Sequence, residues 1–348
     1  MFTLPSPFGS IPRETLLYPH PSAIEPLNRL TSTLSPTTAP KYWIKREDSN
    51  SGLAFGGNKV RKLEYVLHDA LKNGATTLVT TGGLQSNHMR QVAAVAAKYG
   101  LKAQLLPNDR VSPVAPEYKS LGNIQITHLL SADHSPYDSD VEKVMATLTE
   151  KGEKPYWIPS GASLHPLGGL GYARFAFEVA SQENEMGVFF DTIVLPVGSG
   201  GTLAGVIAGF KLLEKWNANS GEEEQRERKI IGIDVSAKPI SESKAQVLKI
   251  ARDTGKLIGL QEIDIEEQDV AIDDRWNGGK YGFVNEETKE AVKMLASIEG
   301  ILIDLVYTGK AMAGLIGSAR KGELEGRGNV LFLHTGGVPV LSAYPELM

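Results

Sequence analysis

Apolar residues along the chain follow two alternating rhythms. Short runs that suit buried strands, at Tyr42-Trp43-Ile44, Thr76 to Thr80, Ala103 to Leu106, Thr192 to Pro196 and Ile230 to Val235, alternate with stretches whose apolar positions fall three or four apart. The clearest helical stretch runs from Asn58 to Asn73 through Leu63, Val66, Leu67 and Leu71, and stops at Gly74. Further helices are predicted over Arg90 to Tyr99, Val141 to Lys151, Tyr172 to about Asn184, Leu203 to Lys211 and Asn285 to Ile298, the last capped by Asn285. Ile124 to Leu130, Tyr156-Trp157-Ile158, Leu302 to Leu305 and Val330 to Leu333 read as additional strands, and Gly278 to Tyr281 as a turn. Strand, loop, helix, strand in succession implies parallel pairing, with ligand sites in the loops at the strands' carboxyl ends.

The loops so placed carry the chemistry. Gly56-Gly57-Asn58-Lys59 pairs two glycines, which let backbone approach closely, with a lysine. That lysine reads as a phosphate ligand, as an amine able to form a Schiff base, or as an ordinary solvated side chain. Gln85-Ser86-Asn87-His88 is a polar turn before a helix, where Ser86 and Asn87 also suit simple capping. Val197-Gly198-Ser199-Gly200-Gly201-Thr202 joins a strand to a helix, an arrangement that aims unpaired amides and a helix dipole at an anion. No Gly-Lys-Ser/Thr follows it, and Asp234 lies too far on for a dinucleotide fingerprint. Pro159 to Gly171, with four glycines and two prolines, is a hinge or the wall of a site.

Composition narrows the classes. At 348 residues and 41% hydrophobic, the chain is long enough for two domains or one split domain. A net charge of −5 without a basic cluster argues against nucleic acid, and the absence of cysteine excludes disulfides and thiolate metal sites. No metal is expected. No apolar run approaches the roughly 20 residues that span a bilayer, and Met1 to Pro21 resembles neither a signal nor a transit peptide, so the expectation is a cytoplasmic protein without a membrane partner. Ala218 to Lys229, with Glu222-Glu223-Glu224, reads as a solvated loop, and Lys62 and the remaining lysines as solvent-facing.

Taken together, Gly56 to Lys59, Gln85 to His88, Gly198 to Thr202, Asp304-Leu305-Val306-Tyr307-Thr308-Gly309-Lys310 and His334-Thr335-Gly336-Gly337 resemble the pyridoxal-phosphate family of aminocyclopropane-carboxylate deaminases and D-cysteine desulfhydrases. The likeness extends from about Pro26 to Tyr344. It implies an α/β fold of the tryptophan-synthase β type, fold type II, with two open twisted parallel-sheet domains and the cofactor between them. The corresponding division is 1–61 plus 173–348 as the large domain and 62–172 as the small one, in a homodimer. The resemblance makes Lys59 the Schiff-base lysine and places Asn58 at the cofactor, Asn87 at the cofactor's ring hydroxyl, and Gly198, Ser199, Gly200, Gly201 and Thr202 at its phosphate. Ser86 and the amides of Asn87 and His88 would receive the substrate carboxylate, with Tyr281 and Tyr307 flanking the substrate. His88 and His165 are given no catalytic side-chain role.

Substrate choice turns on two departures. The deaminases carry glutamate after the tyrosine matching Tyr307 and leucine after the histidine matching His334, whereas this chain has Thr308 and Thr335. A hydroxyl can hydrogen-bond the cofactor's ring nitrogen but stabilises its protonated form far less than a carboxylate. Aminocyclopropane-carboxylate has no Cα proton and demands the stronger electron sink. The threonines therefore favour D-cysteine, converted to pyruvate, ammonia and sulfide, over ring opening to 2-oxobutanoate and ammonia. Asn50 to Lys59 and Ala237-Lys238-Pro239 look more like the deaminases and leave the cyclopropane substrate as the alternative, while Val284, where the family often has proline, is a second departure that bears on the placing of Tyr281. A ligand-binding protein without chemistry on the same scaffold is the reading from another class.

Overall fold

The computed structural model describes residues 2–35, 40–108, 111, 115–220 and 226–345. Two sheets organise it. The first runs β1 (Ile24–Pro26), β2 (Lys41–Arg46), β10 (Asn329–His334), β7 (Thr192–Val197), β8 (Lys229–Asp234) and β9 (Ala271–Asp273) across its width, parallel throughout except for the β1–β2 pair. The second, all parallel, runs β5 (Asp133–His134), β4 (Lys102–Asn108), β3 (Thr77–Gly83) and β6 (Pro155–Ile158).

Strands buried on both faces explain the continuous apolar runs in the sequence. Along β7, Ile193, Leu195 and Val197 enter one core with α6 (Leu170–Met186), α7 (Gly201–Ser220) and α8 (Ile240–Ile258). Val194 points the other way, joining Val330 and Phe332 against α1 (Asn28–Leu34), α9 (Glu286–Glu299) and α10 (Thr308–Arg320). The four-stranded sheet packs Leu78, Leu105 and Ile158 against α2 (Asn58–Lys72) and α3 (Asn87–Lys98), and its opposite face against α5 (Val141–Glu150).

Two expected strands do not form. Ile124 to Leu130 is a helix, α4 (Asn123–Leu129), because the residues it buries, Asn123, Ile124 and Thr127, lie at helical spacing and the alternation of Ile124 with Ile126 is incidental. Leu302 to Leu305 is irregular: Leu302 is half exposed and Asp304 turns the chain into α10 by accepting the amides of Val306, Tyr307 and Thr308. The helix α7 continues through Ser220 into the stretch read as a loop, of which 221–225 lie outside the described residues. Among the described residues no helix is long and apolar enough to cross a membrane.

Helix α2 is pinned by buried charges. Arg61 donates to Glu47 at 2.5 Å and Glu178 at 2.9 Å, Lys45 meets Glu178 at 2.7 Å, and Tyr172 donates to Glu47 at 3.0 Å. Removing one carboxylate would leave buried cations uncompensated, at a cost of about 3–5 kcal/mol. Glu178→Ala is therefore expected to lower the unfolding free energy by about that amount in urea titration, and a loss under about 1 kcal/mol, the range of an exposed pair, would contradict the role given to this cluster.

Candidate active site

The ends of β3, β6, β7, β8 and β10 converge on a cavity of about 220 Å³ between the two sheets. Lys59 enters it from the first turn of α2. That turn requires its glycines: Gly56 and Gly57 have φ of 55° and 116°, and a side chain on Gly56 would meet the Asn50 amide oxygen at 2.9 Å. Asn50 accepts the Gly57 N–H at 3.1 Å and also donates to Glu47, which ties the turn to the buried charge cluster. The Asn58 N–H donates to the Thr335 carbonyl at 3.0 Å and its side chain to Thr202 at 2.9 Å, so the turn bridges the loops after β10 and β7.

Of the residues expected in the site, Asn58, Lys59, Ser86, Asn87, His88, Gly198, Ser199, Gly200, Thr202, Tyr281, Tyr307 and Thr335 line this cavity. Gly201 stands behind the wall, its N–H donating to Ser163 at 3.2 Å. Thr308 is buried and does not line it: its hydroxyl donates to Asp304 at 2.6 Å and accepts the Asp304 N–H at 2.9 Å. His165 sits outside, hydrogen-bonded to Tyr156 at 2.7 Å. His334 lies beneath Thr335 with Nε2 on the Leu302 carbonyl.

Several lining residues carried no signal of their own. Ser160, Gly161, Ser163 and Leu164 show that the glycine- and proline-rich stretch is a wall of the cavity. Ser163 reaches Ser199 at 2.7 Å, while Gln246 donates to the Ser199 carbonyl at 2.9 Å. Lys62, expected at the surface, is fully buried behind the wall, donating to the Gly161 carbonyl and Ser163. Its position one turn after Lys59 on a helix buried on most sides is the signal that would have placed it there.

Electrostatics distinguish this region from the rest of the core. Lys59 hydrogen-bonds the Asn58 side-chain oxygen, Lys62 a carbonyl and a hydroxyl, and the fully buried Arg90 the side-chain oxygens of Asn87 and Asn123 and the Gly56 carbonyl. All these acceptors are neutral. Asp304 attracts Lys59 and Arg90 but spends its hydrogen bonds on its own turn. Burial, helped by the Arg90 charge, lowers the Lys59 amine to about 8. Burial pushes Lys62 well below the usual lysine range and Arg90 down to about 10, so Arg90 remains charged at neutral pH.

Opposite Lys59, the Tyr281 and Tyr307 hydroxyls meet at 2.5 Å. Burial raises the Tyr307 phenol, so it keeps its proton despite the counteracting bond from Tyr281. Lys310, on the same helix as Thr308, donates to the carbonyls of Asn277 and Lys280 and thereby holds the turn that presents Tyr281. Gly83 lies under the Tyr281 ring and Gly198 under the Tyr307 ring, where a Cβ would come within 3.6 and 3.3 Å.

Comparison with known proteins agrees with this geometry. The sequence profile described as "Pyridoxal-phosphate dependent enzyme" matches residues 17–336. The chain is 46% identical over 335 residues to a protein of Burkholderia ambifaria named 1-aminocyclopropane-1-carboxylate deaminase, covering 94% of this chain and 95% of that one. A protein of Cryptococcus neoformans named probable 1-aminocyclopropane-1-carboxylate deaminase is 44% identical, covering 96% and 95%. A crystal structure titled as an ACC deaminase homologue superposes with a TM-score of 0.83 at 32% identity over 98% of both chains. A pyridoxal 5'-phosphate-dependent aspartate racemase, 14% identical with a TM-score of 0.62, shares the fold.

The residues present suit that cofactor. Cations facing neutral acceptors leave room for a phosphate, a ring oxygen and a substrate carboxylate. The start of α7 offers amides to the phosphate, and Lys59 offers an amine partly neutral near pH 7. The chain belongs to the pyridoxal-phosphate dependent enzymes and is a fold type II lyase of the deaminase group, its Lys59 turn, glycine loop and tyrosine pair gathered around one cavity.

Proposed function

We propose that the protein deaminates small α-amino acids and that its substrate is 1-aminocyclopropane-1-carboxylate, opened with water to 2-oxobutanoate and ammonia. The observation that carries the reading is the hydroxyl pair of Tyr281 and Tyr307 in the cavity that also holds Lys59 and Ser86. The names of relatives 44–46% identical over nearly the whole chain support the substrate. Pyridoxal phosphate, when bound, supplies the electron sink for negative charge at the substrate carbon.

The chain supplies binding and proton transfer. Asn58, Asn87 and the Gly198–Thr202 loop hold the cofactor, with Gly201 acting from behind through Ser163. Ser86 accepts the Met89 N–H at 3.2 Å, which leaves its own O–H to donate to a substrate carboxylate. The first amides of α3, at Asn87 and His88, have no partner within their helix and point the same way. Lys59 anchors the cofactor and, when neutral, takes a proton. The tyrosine pair, joined by its mutual bond, sets two phenol hydroxyls at the cavity to relay a proton at the opened ring. The division into 1–61 plus 173–348 and 62–172 belongs to the same proposal and is supported by the membership of the two sheets, and the homodimer belongs to it on the family resemblance alone.

A second reading, D-cysteine cleavage, is favoured by one feature: among the described residues no carboxylate lines the cavity, and Thr335 is at its wall. Without a carboxylate at the ring nitrogen, chemistry that begins with loss of a Cα proton is the easier demand. Incubating the holoenzyme with each compound separates the readings. Rapid 2-oxobutanoate formation from aminocyclopropane-carboxylate is expected; sulfide from D-cysteine with no 2-oxobutanoate would move the assignment to the second substrate, and neither product would defeat both.

Removing the hydroxyl by Tyr307→Phe should lower kcat by about 10²–10⁴-fold with the cofactor still bound, the range of a lost general acid or base; an unchanged kcat would remove Tyr307 from proton transfer. The lysine has its own test in cofactor-stripped protein. Because its pKa is lowered to about 8, the neutral fraction and hence the rate of competitive acetylation of Lys59 should climb with pH and level off above 8. A rate still climbing past pH 10 would mean an ordinary, solvated amine.

A further inference from the structure

Arg90, one turn into α3, is fully buried and hydrogen-bonds no carboxylate among the described residues. Its Nη1 donates to Asn87 Oδ1 at 3.2 Å and Asn123 Oδ1 at 3.0 Å, and its Nη2 to the Gly56 carbonyl at 3.1 Å. A guanidinium has donors only, so it fixes which way its amide neighbours face. Asn123 must turn its oxygen to Arg90, which commits its Nδ2 to Asn87 Oδ1 at 2.8 Å and to the Gln85 carbonyl at 2.8 Å. Gln85 secures Asn123 from the other side, accepting its N–H at 2.8 Å while donating to the carbonyls of Tyr118 and Leu121. Asn87 thus accepts twice through its oxygen, and Nδ2 is what it has left to offer the cavity it lines.

The other arm of the guanidinium reaches the opposite side of the site. The Gly56 carbonyl, held also by Gln91, belongs to the turn that delivers Lys59. One side chain, itself outside the cavity, therefore joins the loop of Asn87 to the loop of Lys59. The Arg90 charge also falls on Lys59, where it helps keep the amine partly neutral.

We propose that Arg90 is a positioning residue for the cofactor: through Asn123 it orients Asn87 so that Nδ2 donates to the cofactor's ring oxygen, and through Gly56 it sets the spacing between Asn87 and Lys59. The proposal rests on the role of Asn87 given above. Lysine cannot reproduce the fork, because its single ammonium cannot span three acceptors in a plane.

A double-mutant cycle on cofactor affinity tests it. Pyridoxal phosphate binding to cofactor-stripped protein, followed by fluorescence, is expected to weaken about tenfold in Arg90→Lys, in Asn123→Ala and in Asn87→Ala, with the circular dichroism of the fold retained. In an Asn87→Ala background, Asn123→Ala should add less than about twofold, since the residue it acts through is gone, and Arg90→Lys should add clearly less than it costs alone, since only its Gly56 arm is left to lose. If Arg90→Lys fails to fold, Asn123→Ala completes the same cycle. A loss in Asn87→Ala with none in the other two would overturn the positioning role and leave the Asn87 assignment standing. Losses that multiply in the double variants would overturn it as well, as expected of a residue that merely supports the fold. Full affinity in all three would defeat both the proposal and the assignment beneath it.

Discussion

Buried positive charge that no carboxylate hydrogen-bonds among the described residues, with only Asp304 attracting Lys59 and Arg90 without a bond, is the constraint on which this site depends. Lys45 and Arg61 meet the ordinary requirement, each paired with Glu178 and Arg61 also with Glu47. Lys59 and Lys62, on the same helix as Arg61, and Arg90 on α3 face amide, carbonyl and hydroxyl oxygens. A buried cation so placed costs free energy that neutral acceptors only partly offset. The amines respond by giving up affinity for their protons, and an anion in the cavity would draw them back. Helix α2 carries both arrangements: the paired Arg61 holds it in the core, and Lys59, two residues earlier, projects into the seam.

That division also explains how rigidity and reactivity coexist. The paired cluster joins β2, α2 and α6, and through Asn50 it reaches the Gly57 backbone. The reactive lysine therefore rests on a fixed base while, among the described residues, its own ammonium has no carboxylate hydrogen bond to tie it down. On the facing side, Lys310 and Asp304 do comparable work for the tyrosines, one holding the turn before Tyr281 and the other capping the helix after Tyr307.

Much of the architecture was legible in the sequence because parallel strands buried on both faces leave continuous apolar runs, and because glycine turns at their carboxyl ends have few other uses. The Gly198–Thr202 loop and the Lys59 turn line the cavity for that reason, whereas the two tyrosines were expected there only from the family resemblance. Most of what stayed hidden depends on partners far along the chain. Ile124 and Ile126 mimic a strand until Gln85 fixes the start of a helix there. Lys62 looks like any helical lysine until the wall from Ser160 to Leu164 closes over it. Thr308 was expected at the cofactor, but four residues upstream Asp304 claims its hydroxyl, so of the two threonines that depart from the deaminases Thr335 is the one at the cavity. Arg90 lay inside a predicted helix with nothing to set it apart, since its importance is in distances to Gly56 and Asn123 that no local pattern encodes.

In the proposed assignment a single amine, Lys59, receives the cofactor while the buried cations around it only tune the cavity. Reducing the holoenzyme with borohydride, digesting it and locating the modified peptide by mass spectrometry tests that directly. The cofactor is expected on Lys59 alone. Attachment at Lys62 or at Lys238, which also lines the cavity, or no attachment in a protein that binds pyridoxal phosphate, would contradict that assignment.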